Sequence, residues 1–400
     1  MNVLFLVNNT KISPNANGGA SVYFSHLQLL AKLNYNVHVL MVDFADKQKA
    51  RLSSDVNTEY IQEITGFYSE IKHFQVAQIH PKGIVDRVKT AISAPEKFEY
   101  FFVNSANEKI IKQYISENKI DLVWAEWRWT AILANYSNLD IPIIYAHHDW
   151  EFKLRKLKSK LSFLQKFHLK QKKRVELDLV KRVSGCVSAS FTETQEIKQY
   201  GNQNAVYIPL TYKKVELTEN SSKIPSIVHL GGMGTTANRI GLERFLEVCW
   251  SDLKEKLPTI ELKVIGSLKY ASDSLKKRLE DSQVKCLGFV EDLEPELKAH
   301  DIHIIPWEYN TGTRTRIPLV FNHSQVLVCT KAAASCYPEV VHSQNSVLVD
   351  NLHDMTAQLI DLYNNREKRI FIGDNARKTF LQSFTAEQQL SKLKSFVESL

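Results

Sequence analysis

The chain has 400 residues, 44% hydrophobic and 24% charged, with a formal net charge of +7, the make-up of a soluble globular protein. That length exceeds one ordinary core, so two domains of similar size are expected, and no run approaches the ~18 apolar residues of a membrane span. The five cysteines, Cys186, Cys249, Cys286, Cys329 and Cys336, are odd in number and lack metal-ligand spacing, which argues against a zinc site and fits a reducing cytoplasm.

The opening Met1-Asn2-Val3-Leu4-Phe5-Leu6-Val7-Asn8 lacks a basic flank and a small-residue cleavage site, and reads as a buried strand. Further strands are expected at Val37–Val42, Asp121–Ala125, Ile141–Ala146, Cys186–Ser190 and Val206–Ile208, with helices between them from Ala20 past Leu30 and from Glu108 to Glu117. Alternation of this kind predicts a parallel sheet covered on both faces. After the first strand comes Asn15-Ala16-Asn17-Gly18-Gly19-Ala20, a loop before a helix, where adjacent glycines and a helix N-terminus suit a phosphate or a sugar hydroxyl. Ala146-His147-His148-Asp149-Trp150 ends a later strand, and a histidine there could hydrogen-bond a sugar hydroxyl with Asp149 orienting it.

From Lys153 to Arg182 the chain is densely basic, with Glu176 and Asp178 as counter-charges. Within 153–174, Leu154, Leu157, Leu161 and Leu164 recur at helical spacing among Lys156, Lys160, Lys166, Lys170, Lys172 and Lys173, which predicts one amphipathic basic helix. It could pack on the core with a solvated lysine face or lie against anionic lipid at the inner face of a membrane. Nucleic acid is not expected as a partner, because the cations lie on one helix without interleaved aromatics.

Residues 212–225 lose apolar content and end in Ser-Ser-Lys-Ile-Pro, the composition of a linker. A second series of strands follows at Ile227–Leu230, Leu262–Ile265, Val284–Leu287, Ile302–Ile305, Val326–Cys329 and Val347–Val349. The expected division is therefore 1–212 and 213–383, with a helix in 384–400 whose apolar Leu390, Leu393, Phe396 and Val397 carry it back onto the first domain. The glycines Gly231, Gly232 and Gly234 follow the first strand of this half and run into Asn238 and a helix, forming an anion-binding nest. Pro306 to Pro318 is the most informative stretch: Gly312, Thr313, Arg314 and Arg316 lie after a buried strand, and two guanidiniums one residue apart offer bidentate donors to a diphosphate. No Asp-x-Asp occurs, so no metal and no cofactor is expected, the leaving-group charge being met by arginine and helix dipoles.

The stretches VLFLVNN…NGGA, IPIIYAHHD, CVSASFTETQEI…VYIPL, IVHLGGMGTTANRIGLERFL, LKVIGS, CLGFVEDLEPELKAHDIHIIPW and TGTRTRIP resemble the family-4 glycosyltransferases of the GT-B fold along nearly the whole chain. The resemblance implies two Rossmann-like domains facing each other across a cleft, an N-terminal acceptor-binding domain and a C-terminal domain for a nucleotide-diphosphate sugar. It places Arg314 and Arg316 on the diphosphate, His148 at the family's histidine, Gly18 and Gly19 near the phosphate, and Gly266 and Val290 among the donor contacts, Val290 toward the base. The acceptor it implies is a glycan, glycolipid or glycoprotein, with retention of configuration. One departure is plain: Leu319 stands where the family carries a ribose-binding glutamate, and neither Glu308 nor Glu339 fits that spacing. A nucleotide-sugar 2-epimerase of the same fold and a non-catalytic sugar- or partner-binding subunit are the competing readings.

Overall fold

A computed structural model describes residues 1–14, 18–44, 71, 73–93, 100–157, 161–217 and 224–400. Contacts divide the chain into two compact units, Met1–Ile208 with Thr311–Thr313 and Gln389–Leu400, and Pro209–Asn310 with Arg314–Gln388.

The first unit holds β1 (Asn2–Asn8), β2 (Asn36–Phe44), β3 (His73–Ile79), β4 (Leu122–Glu126), β5 (Ile143–His147), β6 (Gly185–Ser188) and β7 (Ala205–Tyr207). All seven join in one parallel sheet of order β3-β2-β1-β4-β5-β6-β7. Strand order reverses between β1 and β4, and open sheets of this kind bind ligands outside the strand ends at that switch point. The first strand is apolar through its middle, as two covered faces require: Val3, Leu4, Phe5, Leu6 and Val7 of β1 are all buried.

The second unit repeats the plan with β8 (Ile227–Leu230), β9 (Leu262–Ile265), β10 (Val284–Gly288), β11 (Ile302–Ile305), β12 (Val326–Thr330) and β13 (Ser346–Val349), ordered β10-β9-β8-β11-β12-β13. Its switch point lies between β8 and β11, which pair in parallel through Ile227↔Ile302 and Val228↔His303. Residues 212–215 are fastened to this unit, since Asn322 accepts from the Val215 N–H at 3.2 Å and donates to the Lys213 carbonyl at 2.9 Å. Within the rest of the expected linker, 218–223 lie outside the described residues.

The helix Ala386–Glu398 buries Leu393 and Val397, and Gly185 on β6 lies under it: a Cβ built there would fall 2.7 Å from the Phe396 ring.

Two expectations are corrected. The basic segment is not one helix over 153–174 but two, Glu151–Lys156 and Phe163–Arg182, with 158–160, including Lys160, outside the described residues. The second starts at a capping box, in which Ser162 accepts from the Gln165 N–H and the Gln165 side chain accepts from the Ser162 N–H. Its lysines also differ in fate. Lys172 is buried and pairs with Glu151 at 3.0 Å, whereas Lys166, Lys170 and Lys173 are exposed. Gly18 and Gly19, expected in a loop, instead form the first turn of the helix Gly18–Lys32, and 15–17 lie outside the described residues.

Candidate functional site

In the second unit the chemistry collects at the ends of β8, β9 and β11. Gly231 leaves β8 with φ 142° and donates its N–H to the Ile265 carbonyl at 2.7 Å, and Met233 donates to the Ser267 carbonyl at 2.9 Å. Gly266, φ 132°, exists for this approach: a Cβ there would lie 2.6 Å from the Gly231 carbonyl carbon and 2.7 Å from the Gly232 nitrogen. Gly234 is freer, with the Tyr270 ring 3.4 Å from a built Cβ.

The loop after β11 brings in the arginines. Arg314 is buried, with its guanidinium carbon 5.5 Å from the centre of the Trp307 ring. Arg316 opens the helix Arg316–Asn322; its Nη2 donates to Asn238 Oδ1 at 2.9 Å, and Asn238 Nδ2 donates to the Gly232 carbonyl at 3.1 Å. Its Nη1 is buried without a hydrogen-bond partner, and among the described residues no carboxylate pairs with Arg316. Burial, with Arg314 beside it, pushes the Arg316 guanidinium down to about 9, the signature of a cation short of a counter-charge. Thr313 Oγ1 is likewise buried without a hydrogen-bond partner.

Beneath the arginines lie His229 on β8 and His303 on β11, both fully buried. His303 Nδ1 meets Gln325 at 3.0 Å, whereas both ring nitrogens of His229 lack partners. Burial and the Arg316 charge hold His229 far below the usual histidine range and push His303 down to about 3, so both rings are neutral. Val290 and Leu319 pack beside Leu230, Leu287 and Leu293 in a partly exposed apolar cluster on Val228, Ile265 and Leu297. The place expected to hold a ribose-binding carboxylate is therefore hydrocarbon.

In the first unit β5 delivers His147 and His148 to opposite sides. His147 is buried, 3.3 Å from Glu193 and with its ring 4.4 Å from that of Trp150. Glu193 also accepts the Gly312 backbone N–H at 3.2 Å. His148 reaches the surface, and its Nε2 lies 2.8 Å from Glu126 Oε2. Glu126 ends β4 opposite Ala146 and is fully buried; its other oxygen takes the Trp124 indole N–H at 2.8 Å and His26 Nδ1 at 2.7 Å. Burial opposes ionisation of this carboxyl, but the two imidazoles outweigh it and hold it down at about 2. Next to it Trp127 has φ 70°, a conformation that bulky residues adopt only where surrounding structure enforces it. Sequence reading had missed Glu126, His26 and Trp124; the available signal was a carboxylate closing the buried run Leu122-Val123-Trp124-Ala125 at a switch point.

Among the described residues no group of three His, Cys, Asp or Glu side chains could hold a metal ion, and no helix is long and apolar enough to cross a membrane.

Comparison with known proteins decides the class of the second unit. Residues 224–365 match the family described as Glycosyl transferases group 1. The chain carries a glycosyl transferases group 1 domain. Both paired arginines, all three glycines after β8, Gly266 and Val290 fall within that glycosyltransferase domain. Solved structures similar over the whole chain share its fold, the GT-B fold with two Rossmann-like units. HepE of Anabaena, in complex with UDP-glucose, is 16% identical with a TM-score of 0.69 and full coverage of both chains. A TarM variant of S. aureus, in complex with fondaparinux, alpha-GlcNAc-glycerol and UDP, is 12% identical with a TM-score of 0.69 and 99% coverage of each. Sucrose-phosphate synthase from Thermosynechococcus elongatus is 13% identical with a TM-score of 0.70, covering 100% of this chain and 99% of its own. No curated protein sequence matches the chain.

Proposed function

We propose that the protein transfers a sugar from a nucleoside-diphosphate donor to a hydroxyl of a glycan or glycoconjugate, with Arg314 and Arg316 neutralising the diphosphate and no metal taking part. One observation carries this reading: Arg316 is held at the switch point of the glycosyltransferase domain with a buried, unsatisfied N–H and no carboxylate against it. An anion with several acceptor oxygens meets that need, and the glycine nest after β8 supplies further N–H donors beside it. UDP and UDP-glucose in the HepE complexes support a diphosphate donor, and the ligands of the TarM complex support a glycan acceptor. Retention of configuration rests on the family resemblance. His148, with an unengaged ring nitrogen, suits a sugar hydroxyl. A thermal-shift screen of UDP, GDP and ADP, followed by transfer assays with the matching sugars in the presence of EDTA, tests the reading. Stabilisation by none of the three would sink it.

Contact with an anionic lipid surface is proposed on the first turns of the helix Phe163–Arg182, where Phe163, Leu164 and Phe167 are 85%, 68% and 44% exposed beside Lys166, Lys170 and Lys173. Exposed aromatic and leucine side chains flanked by lysines suit an interface that is apolar below and anionic above. Flotation with phosphatidylglycerol vesicles at low salt is the check, and protein left wholly in solution would remove the lipid and the membrane-face location together.

A further inference from the structure

The first unit holds a buried assembly that diphosphate binding does not use: Glu126, His26, Trp124 and His148, joined through one carboxylate. The hydrogen-bond chemistry fixes more than position. An ionised carboxylate only accepts, so a ring nitrogen 2.8 Å from Glu126 Oε2 carries a proton. A neutral ring has one N–H and one lone pair, so in that form a proton on Nε2 leaves the lone pair on Nδ1. That Nδ1 has no hydrogen-bond partner among the described residues, and His148 is the member of the assembly that reaches the surface.

We infer that Glu126 is a positioning residue that locks His148 in the Nε2–H form, so that Nδ1 is presented as a hydrogen-bond acceptor to a sugar hydroxyl. The sugar-hydroxyl part rests on the glycosyl-transfer reading above; the locked tautomer does not. Trp124 makes the device directional. Its indole N–H donates and cannot accept, so the oxygen it meets, Oε1, must be an acceptor. In the isosteric Glu126→Gln variant the carboxamide oxygen therefore stays on the Trp124 and His26 side, and the NH₂ group turns to His148 Nε2. The ring must then accept at Nε2 and carry its proton on Nδ1, which converts the presented acceptor into a donor. Removing the indole N–H as well, in Glu126→Gln with Trp124→Phe, lets the carboxamide turn over and restores part of the original form.

The test is ¹⁵N NMR of the full chain labelled at histidine, with the His148 signals assigned against His148→Gln. The wild-type protein should show a protonated Nε2 and a lone pair on Nδ1. Glu126→Gln should exchange the two, lower kcat about 100-fold while KM of the donor stays within threefold, and keep the stabilisation by UDP or GDP that shows the variant is folded. The Trp124→Phe double variant should recover part of the wild-type pattern. A proton on Nδ1 in the wild type overturns the inference without any variant, and so does a Glu126→Gln protein with unchanged tautomer or with kcat within twofold of wild type. Absence of nucleotide binding in the wild type would refute the diphosphate reading but leave the tautomer result standing.

Discussion

Arg316 and Gly232 are tied together through one amide: Asn238 accepts from Arg316 Nη2 at 2.9 Å and donates to the Gly232 carbonyl at 3.1 Å. The guanidinium is thus pre-set against the glycine nest before any ligand arrives, with Nη1 left over. Preorganised donors of this kind add to binding because little ordering remains to be done.

Arg316→Ala should therefore weaken nucleoside-diphosphate binding by about 1.5–3 kcal/mol, the range for a hydrogen bond to a charged group. In a thermal-shift assay at a fixed UDP concentration most of the ligand-induced rise in Tm should vanish. Asn238→Ala should show a smaller loss through misplacement of the same guanidinium, and His148→Ala should keep the shift while losing turnover. A full UDP shift in Arg316→Ala would refute the role assigned to that residue.

Gly266 offers a sharper steric case. It combines φ 132° with backbone of Gly231 and Gly232 inside 3 Å of any added Cβ, and neither neighbour is a flexible side chain. Gly266→Ala must then displace the β8 loop, at about 1–3 kcal/mol for the backbone conformation and a comparable amount for the overlap. The expected outcome is a lower denaturation midpoint together with weaker nucleotide binding. Gly234→Ala, where the nearest contact is a tyrosine ring at 3.4 Å, should leave stability within about 0.5 kcal/mol.

What the sequence revealed, and what it hid, follows from how far each feature depends on distant residues. Strands β8, β9 and β11 fall at the residues expected because burial on both faces leaves three of four positions β-branched or leucine, with one polar residue each, His229, Lys263 and His303. Strand β3 escaped because its burial alternates at the sheet edge, with His73, Gln75 and Gln78 diluting the pattern. The break in the basic segment was legible in Ser162 and Gln165, a capping box, but leucine spacing that runs through 154, 157, 161 and 164 masked it. Glu126 lies one residue past the expected strand Asp121–Ala125. Its burial is made tolerable by His26, a hundred positions earlier, and by His148, a partnership no local pattern encodes.

His229 and His303 predict how the protein responds to acid. Both are held neutral in the folded state, His303 at about 3 and His229 far below the ordinary value near 6.5. Below about pH 6.5 the unfolded chain takes up protons that the folded chain refuses, so stability is full above that pH and falls as pH drops toward 3. Each histidine contributes a slope of up to about 1.4 kcal/mol per pH unit in that window. Urea midpoints measured from pH 7.5 to 4.5 should fall, and His303→Gln should flatten the fall. An unchanged slope in that variant would show that other groups set the acid limit.

The helices leaving β4 and β5 are themselves clamped. Arg128, two residues past Glu126, donates to Glu176 at 2.7 Å and also pairs with Glu151, which lies three residues past His148. Lys172 and Arg155 complete the pairing of Glu151 at 3.0 and 2.6 Å. Burial works against both carboxyls, yet the cations Arg128 and Lys172 hold Glu151 down at about 2, whereas Glu176, more deeply buried, stays above the usual carboxylate range despite Arg128. The cluster therefore joins the two loops that bring Glu126 and His148 together, and Arg128 is the cation that the buried Glu176 and the half-buried Glu151 share. Arg128→Met should destabilise the protein by about 3–5 kcal/mol, because it strands Glu176 without its partner. Adding Glu176→Leu should return much of that loss, since a buried pair replaced by apolar side chains costs little, whereas turnover should stay depressed because the Glu126–His148 geometry has lost its brace. Equal stability of the single and double variants would mean that Glu176 is protonated in the native protein and needs no cation.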